Sequence, residues 1–395
     1  MTESPLFAPA AGTALTGLLP DELAAALADA GEKPYRARQI QEWVFQKRVG
    51  SYAEMTNLPA PLRESLAAAH PFHSLHTAKI QGAKDTTRKF LFRLHDGRYV
   101  ESVLIPANKG FMGNQSDRLT LCVSSQVGCA YDCKFCASGL AGFTRNLRAD
   151  EIVEQVMAAE REAGERIDNI VFMGMGEPLA NFTNLTRALQ ILHGQWGLNI
   201  GARHITVSTS GLAPQIRKLA DFPLSVRLAV SLHGATDEVR SKIMPVNNKY
   251  PLEELFESLR YFKQRSKHKI TFEYILIEGV NDGPDQARAL ARRTRSLEAK
   301  VNLIPYNTVE GLPWARPSEE QQDAFCATLV AHGVPATIRR EKGHDIDAAC
   351  GQLRLKQETA EGLVEAPLNN PLLAGGSGRS PSPIFNLQQK PSVPI

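Results

Sequence analysis

The chain has 395 residues, of which 43% are hydrophobic and 22% are charged, and its formal net charge at pH 7 is +3. These values are ordinary for a soluble globular protein built as one large domain with an accessory module, or as two domains. The charge allows a nucleic-acid partner but does not argue for one.

Three features argue against a membrane or secreted protein. No run of about 18 apolar residues is present, so we expect no membrane-spanning helix. The first residues lack a basic region followed by an apolar core, so we expect no signal peptide. Four of the six cysteines are clustered, which fits a reducing cytoplasm better than a disulfide framework. We therefore expect a cytoplasmic protein.

The first 75 residues are predicted to form a helical accessory domain. Apolar spacing predicts helices at 20–28, 35–49 and 60–69, with Asp21 as a cap of the first. The basic side chains of this domain form either a solvated face or a surface that grips phosphates. They are Lys33, Arg36, Arg38, Lys47 and Arg48.

The rest of the chain predicts an α/β fold. Apolar runs around an Asp-Gly turn predict a β-hairpin, at 89–94 and 99–105, within an extension over residues 76–118. From residue 119, strand-like runs alternate with helical ones, which predicts a partial parallel barrel of about six strand–helix units over 119–355. The runs lie at 119–123, 169–173, 204–208, 226–232, 269–275 and 300–305. The tail over 356–395, rich in Gly, Ser and Pro at its centre, is predicted to be disordered.

Cys129, Cys133 and Cys136 lie in one short stretch with C-x3-C-x2-C spacing. Three thiolates on one loop can hold three irons of a [4Fe–4S] cluster and leave the fourth iron open to a small molecule. The alternative is a zinc knuckle with Cys122 as fourth ligand, but zinc ligands usually come as separated pairs. The triplet resembles the signature of radical S-adenosylmethionine (SAM) enzymes, in which the open iron binds SAM.

Polar and glycine-rich motifs follow most of the predicted strands. Functional residues of parallel barrels gather at the carboxyl ends of strands, so these motifs predict one site. Glycines at 174 and 176 allow close backbone approach, and Glu177 can accept hydrogen bonds from an ammonium group or a ribose. Taken alone, His233 would be interpreted as a satisfied core histidine, but its place in Ser-Leu-His-Gly at a strand end favours a site residue. The candidate cofactor-binding residues are Gly176, Glu177, Ser208, Ser231, Leu232, His233 and Asn307.

Four longer motifs together resemble the RlmN/Cfr family of radical SAM RNA methyltransferases, and their residues are more similar to its RlmN branch. They are Cys-Val-Ser-Ser-Gln-Val-Gly-Cys at 122–129, Gly-Phe-Thr-Arg-Asn-Leu-Arg at 142–148, Gly-Met-Gly-Glu-Pro-Leu-Ala-Asn at 174–181, and Asp-Ile-Asp-Ala-Ala-Cys-Gly-Gln-Leu at 345–353. The similarity extends from the N-terminal helices to about residue 353. It implies a [4Fe–4S] cluster on the three cysteines and two SAM molecules per turnover.

The resemblance also implies roles for three further residues. Cys350 would carry a methyl group that, as a methylene radical, adds to C2 of an adenine. Cys122 would then attack the Cys350 sulfur, forming a transient Cys122–Cys350 disulfide and releasing the methylated base. Glu101 matches the glutamate that accepts the C2 proton. From the residues alone, Cys122 and Cys350 could equally be buried structural cysteines, and Glu101 could be a solvated residue of a strand. Cys326 is interpreted as a packing residue of a helix.

By the same resemblance, the substrates are an adenosine of 23S rRNA at the peptidyl-transferase centre and the adenosine 3′ of the anticodon in tRNAs. An electron donor such as flavodoxin would reduce the cluster, and we expect a monomer. Three alternatives remain: Cfr-like methylation of C8, a radical SAM enzyme acting on a small molecule or peptide, and a non-enzymatic RNA-binding module. The candidate phosphate contacts beside the site are Arg145, Arg148, Arg339, Arg340 and Lys342.

Overall fold

The structure, a computed structural model, describes residues 12–83, 86–106, 118–140, 142–309, 312–339 and 351–364. Cys350, the predicted methyl carrier, lies outside the described residues, as do Arg340, Lys342 and the tail beyond residue 364. Among the described residues no helix is both long and apolar enough to cross a membrane.

Twelve strands and twelve α-helices are described. The strands are β1 Leu75–Gly82, β2 Arg88–Leu94, β3 Tyr99–Pro106, β4 Leu119–Cys122, β5 Gln126–Gly128, β6 Phe143–Asn146, β7 Asn169–Phe172, β8 Ile205–Thr209, β9 Arg227–Ser231, β10 Thr271–Leu276, β11 Lys300–Pro305 and β12 Ala336–Ile338. The helices are α1 Pro20–Asp29, α2 Tyr35–Gln41, α3 Ala60–Ala69, α4 Ala137–Leu140, α5 Ala149–Ala163, α6 Phe182–His193, α7 Ala213–Ala220, α8 Asp237–Ile243, α9 Leu252–Arg265, α10 Pro284–Ser296, α11 Glu319–Ala331 and α12 Gln352–Ala360.

A ten-stranded sheet in the order β1-β2-β3-β4-β7-β8-β9-β10-β11-β12 organises the fold. Within this sheet, strands β1 to β4 pair antiparallel, and the pairs from β4 and β7 onward to β12 are parallel. Strands β5 and β6 form a separate antiparallel pair. At least one helix lies in the chain between each two successive parallel strands. The predicted α/β barrel of strand–helix units is therefore confirmed, and the short strand β12, which the sequence analysis missed, extends it.

The sheet is curved. Strands across most of the width of the sheet line one cavity of about 540 Å³. The lining side chains share one face of the sheet, which we call the inner face. They include Ile105, Thr120, Val171, Thr206, Ala229, Thr271 and Asn302. Since β1 and β12 are the two edges of the sheet and do not pair, the barrel is open, as predicted for a partial barrel.

The N-terminal helices share the apolar core of the barrel rather than a core of their own. The Ala14 N–H donates to the buried Asp150 carboxylate of α5 (3.1 Å), and Arg187 of α6 pairs with Glu22 of α1. Asp21 is not the cap of α1, because Pro20 already begins the helix and Glu22 accepts from the Leu19 N–H (2.9 Å).

Other boundaries also differ from the predictions. In the helix expected at 35–49, the α-helical part ends at Gln41, and the chain continues as a short π-helix over Glu42–Gln46. The hairpin extension gains a third strand, β1, which pairs with β2. Helix α12 runs to Ala360 and buries Glu358, so the boundary predicted at residue 355 falls inside a helix.

Gln155 of α5 ties that helix to the sheet through its fully buried amide. Its Oε1 accepts from the Ser124 N–H (2.8 Å) and the Ser102 hydroxyl (2.9 Å), and its Nε2 donates to the Ser124 carbonyl (3.0 Å). Buried polar groups of this kind are costly to leave unpaired.

We predict that Gln155→Leu lowers the free energy of unfolding by about 3 kcal/mol, because the buried backbone groups of Ser124 and the Ser102 hydroxyl would lose their hydrogen bonds to Gln155. Urea unfolding followed by circular dichroism measures the change. Gln321→Leu, at an exposed position of α11, is the matched control and should move stability by less than about 0.5 kcal/mol. Equal stabilities for the two variants would contradict this role of Gln155.

Candidate active site

The cysteine loop follows β5 and ends at the start of α4. The Cys129 N–H donates to the Gly142 carbonyl and the Cys136 N–H to the Cys133 carbonyl, both at 3.0 Å. Between them, the Lys134 N–H donates to Ile243 and its carbonyl accepts from the Trp314 indole, both at 2.9 Å. Backbone contacts on both sides therefore fix the loop that carries the three thiols.

All three thiols line one cavity of about 250 Å³ at the carboxyl ends of the parallel strands. Five of the seven predicted cofactor residues line it too: Gly176, Glu177, Ser208, Ser231 and His233. The other two do not. Leu232 is fully buried with its N–H donating to the Glu273 carbonyl, and Asn307 is half-buried beyond β11.

Glu177 is a buried carboxylate held by backbone donors. It accepts from the Leu179 N–H (3.0 Å) and the Ser210 N–H (2.6 Å), yet burial raises its pKa. The largest effects on that pKa are burial and hydrogen bonds from Ser210, Leu179 and Thr209, which are neutral groups. The site therefore presents a buried acid held by neutral donors, which is an arrangement that suits an ammonium group.

Gly176 lets the backbone reach this position. It has φ +97, and a Cβ added there would lie 2.5 Å from the Gln126 Cβ. The Gln126 Oε1 accepts from the Glu177 N–H (2.8 Å), and its Nε2 donates to the Asn146 Oδ1 (2.8 Å). Both the left-handed backbone and the close packing require glycine.

His233 is a neutral hydrogen-bonding group in this cavity. Its Nδ1 accepts from the Ile275 N–H (3.0 Å), so the ring proton lies on Nε2. Burial, with a smaller effect of Arg240, lowers its pKa to about 3. The ring also packs edge-on against Phe135 of the cysteine loop, with centroids 4.9 Å apart.

The donor set fits an iron–sulfur cluster. Burial raises the pKa of Cys129 to about 12 and that of Cys133 well above its usual value, with the neighbouring cysteines adding to both effects. Thiolates here therefore need bound cations, which the irons of a cluster supply. Cys122 does not line the cavity, and no three metal-ligating side chains converge on a single ion among the described residues. The zinc-knuckle alternative is thus not supported.

A second group of predicted residues meets on the inner face of β3 and β4. Cys122 is the cross-strand partner of Val103, and Thr120, two residues before it, lines the inner cavity. Glu101 precedes Val103 by two residues and therefore lies on the same face. The structure thus brings together Glu101 and Cys122, which are 21 residues apart in sequence.

Glu101 is not a solvated strand residue, since it is only 2% exposed. Its Oε2 lies 3.1 Å from the Lys89 Nζ and accepts from the Gly351 N–H (2.9 Å). Its Oε1 accepts from the Arg354 N–H (2.6 Å). The predicted proton acceptor therefore contacts the residue that directly follows Cys350 in the chain.

Gly351 also packs against the cysteine loop. It has φ +91, and a Cβ added to it would lie 2.9 Å from the Ser138 Oγ and 3.0 Å from the Ser138 Cα. Ser138 is the second residue of α4, which begins directly after Cys136. One residue thus touches Glu101 on one side and the helix after the three thiols on the other.

The two arginines beside the cysteine loop have intramolecular partners instead of facing free solvent. Arg145 pairs with Asp96 (2.6 Å) and Glu151 (2.8 Å), and Arg148 with Asp150 (2.8 Å). Their predicted role as phosphate contacts therefore competes with these ion pairs. Arg339 is exposed and lines the cavity that holds the three thiols.

The sequence analysis missed two residues that build the site. Buried Arg240 of α8 donates to the carbonyls of Leu232 (Nε, 3.0 Å) and Ser210, which joins the loops after β8 and β9. Lys89 pairs with Glu101. Neither position belongs to a recognisable motif, and a lysine on a predicted strand usually signals a solvated face.

Two family models match the chain. The Radical SAM superfamily model matches residues 123–291, and the model of the ribosomal RNA large subunit methyltransferase N-terminal domain matches residues 13–70.

Curated relatives match nearly their whole length. A probable dual-specificity RNA methyltransferase RlmN of Akkermansia muciniphila is 54% identical over 87% of this chain and 96% of its own. The protein of the same name in Bacillus subtilis is 46% identical over 86% and 93%. The crystal structure of a radical SAM methyltransferase from Sphaerobacter thermophilus superposes on this chain with a TM-score of 0.81 and 47% sequence identity. The superposition covers 86% of this chain and 98% of that one.

We predict that His233 makes stability depend on pH. Between pH 6.5 and about 3 the unfolded chain binds a proton that the folded His233 does not, so wild-type stability falls as pH is lowered through this window. His233→Gln should lose less stability from pH 6.5 to 4, measured by urea unfolding. His332→Gln, at an exposed position, should follow the wild type, and parallel curves for all three proteins would contradict a neutral His233.

Proposed function

The chain belongs to the RlmN family of radical SAM RNA methyltransferases, and we propose that it methylates C2 of adenosine. The substrates would be an adenosine of 23S rRNA at the peptidyl-transferase centre and the adenosine 3′ of the anticodon in tRNAs. One observation supports the proposal most strongly. Gly351, next to Cys350, touches both Glu101 and the helix after the three cysteines.

Cys129, Cys133 and Cys136 would hold the [4Fe–4S] cluster, with SAM beside it in the same cavity. When bound, the two together supply a carbon-centred radical. Glu177 would bind the ammonium group of SAM, while His233, with its proton on Nε2, would donate to a SAM oxygen. Ser208 and Ser231 offer hydroxyls for the sugar, and Gly176 gives SAM access to the backbone. Leu232 and Asn307 do not line this cavity, and their contact with the cofactor stays a prediction.

The proposed chemistry follows from the target carbon. An aromatic C–H on adenine is neither acidic nor nucleophilic, so direct methyl transfer from SAM to that carbon would be very slow. A methyl group first placed on Cys350 can instead be activated and added to C2 as a methylene group. One SAM molecule would provide the methyl group and a second the radical, so two are used per turnover.

Cys122 would resolve the resulting bond between protein and RNA. The adduct must first give up one electron, which the cluster would accept, and its C2 proton. The Cys122 thiolate then attacks the Cys350 sulfur, the bond from that sulfur to the methylene carbon breaks as the disulfide forms, and the carbon takes up a proton to become the methyl group of the released base. Cys122 is suited to this step because it lies on the inner face of the sheet, on the same face as Glu101, whose carboxylate contacts Gly351. Glu101 would accept the C2 proton, for which one of its present hydrogen bonds must open.

RNA would have to reach this site with its adenine unstacked and turned inward. Lys33 and Arg38 of the N-terminal helical region are exposed, and Arg339 lies at the cavity itself. Lys47 is also exposed, but it lies 3.6 Å from the Glu42 carboxylate and over the Trp43 ring. The cluster would draw electrons from a donor protein such as flavodoxin.

The test is regiochemical. Reconstituted protein, SAM and a reductant are incubated with a 23S rRNA fragment or with tRNA, and the digested nucleosides are analysed by mass spectrometry. We expect 2-methyladenosine, and none from protein carrying Cys129→Ala, which lacks a cluster ligand. 8-Methyladenosine would show Cfr-like chemistry, and cleavage of SAM without RNA methylation would point to another radical SAM activity.

We predict that Cys122→Ala accumulates a covalent protein–RNA species, because the tether forms but cannot be resolved. Denaturing gel electrophoresis with labelled RNA detects the species, and nuclease digestion confirms it. Cys326→Ala, on the partly buried α11 position, is the control and should turn over normally. If Cys122→Ala still releases methylated RNA at the wild-type rate, Cys122 is not the resolving thiol.

A further inference from the structure

We propose that Lys89 and Glu101 form a buried clamp that positions the peptide after Cys350 in both half-reactions, the loading of the methyl group and its transfer to RNA. The inference rests on the proposed function and extends it. It makes Lys89 a positioning residue and gives Glu101 a task that begins before any RNA proton is removed.

The clamp consists of one carboxylate between three donors. The Lys89 Nζ lies 3.1 Å from the Glu101 Oε2, and both side chains are almost fully buried. The same oxygen accepts from the Gly351 N–H at 2.9 Å, and the Oε1 accepts from the Arg354 N–H at 2.6 Å. The carboxylate thus binds unpaired N–H groups at the N-terminus of α12, where negative charge is favoured.

Lys89 makes this arrangement possible. A carboxylate removed from water needs a compensating charge, and the ammonium group on the adjacent strand provides it. The sheet register places it there: Lys89 is paired with Val103, Leu91 with Glu101, and Cys122 with Val103. The clamp and the proposed resolving thiol therefore lie on one face of three adjacent strands.

The remainder of α12 is held separately. Glu358 accepts from the Tyr99 N–H (3.2 Å), the Tyr99 hydroxyl donates to Glu361 (2.7 Å), and Leu353 packs with Leu91 and Tyr99. These contacts fix the body of the helix on β2 and β3. The clamp acts at its first turn, where the chain arrives from Cys350.

Gly351 has little freedom once the clamp is closed. It lies between the Glu101 carboxylate and Ser138 of α4, with no space for a Cβ on the Ser138 side. Loss of the clamp would let Gly351 move away from α4, and Cys350 with it, because the two residues share a peptide bond.

The loading half-reaction can distinguish a positioning role of Glu101 from a role as the base that accepts the adenine proton. In loading, the Cys350 sulfur bonds to the SAM methyl carbon, the methyl–sulfonium bond breaks, S-adenosylhomocysteine leaves and the thiol proton passes to solvent. No adenine proton is involved. If Glu101 acted only as a base, its loss would spare loading; as part of a clamp, its loss slows loading as well.

The experiment measures loading without RNA. Protein produced without its cluster is reconstituted anaerobically and mixed with SAM carrying a deuterated methyl group, and the labelled Cys350 peptide is timed by mass spectrometry. We expect loading to slow at least tenfold in Lys89→Met and in Glu101→Gln. Lys89→Arg should recover most of the rate, and Lys79→Met, at an exposed position of β1, should match the wild type.

Folding is controlled with the double variant Lys89→Met/Glu101→Gln, which removes both charges of this buried pair together. It should retain the wild-type circular dichroism spectrum and still load slowly. Wild-type loading rates in Lys89→Met and Glu101→Gln would overturn the clamp and leave Glu101 as a base only. No label on Cys350 in the wild type would overturn the proposed function itself, a result that the variants cannot imitate.

Discussion

The buried carboxylate of Glu101 joins the parts of this protein that must work together. It lies between an ammonium group of β2 and two backbone N–H groups at the start of α12. Because a charge in that position is tolerated only with all its partners in place, the hairpin extension and the C-terminal helix are tied to each other. The extension thereby contributes to the proposed active site.

The cavity beside this contact combines neutral donors with very few charges. His233 is kept neutral by burial, and Glu177 is a buried acid held by neutral hydrogen-bond donors. Three thiols line the same space. Such a site suits a zwitterionic cofactor on a cluster, because the protein supplies a partner for the ammonium group and leaves the carboxylate of the cofactor to the metal.

Regular spacing of apolar residues predicted most of the parallel strands and the helices between them. The motifs that follow these strands predicted where the site lies. In the parallel strands β4 and β7 to β11 at least half of the residues are buried, and the motifs after them converge as expected for a parallel barrel. The spacing did not predict the short pair β5 and β6, of which β6 is mostly exposed. It missed β12, a three-residue strand too short to show a pattern, and α12, whose mixed composition shows no clear apolar face. It also missed Lys89, because only the fold reveals that this lysine is buried against Glu101.

The central claim is that Cys350 carries the methyl group that RNA receives. The direct measurement is mass spectrometry of the tryptic peptide 343–354 from protein purified with its cluster intact, before and after one turnover with RNA. The account predicts a methyl group on Cys350 that is lost when the RNA gains one. An unmodified Cys350 in protein that still methylates RNA would contradict it.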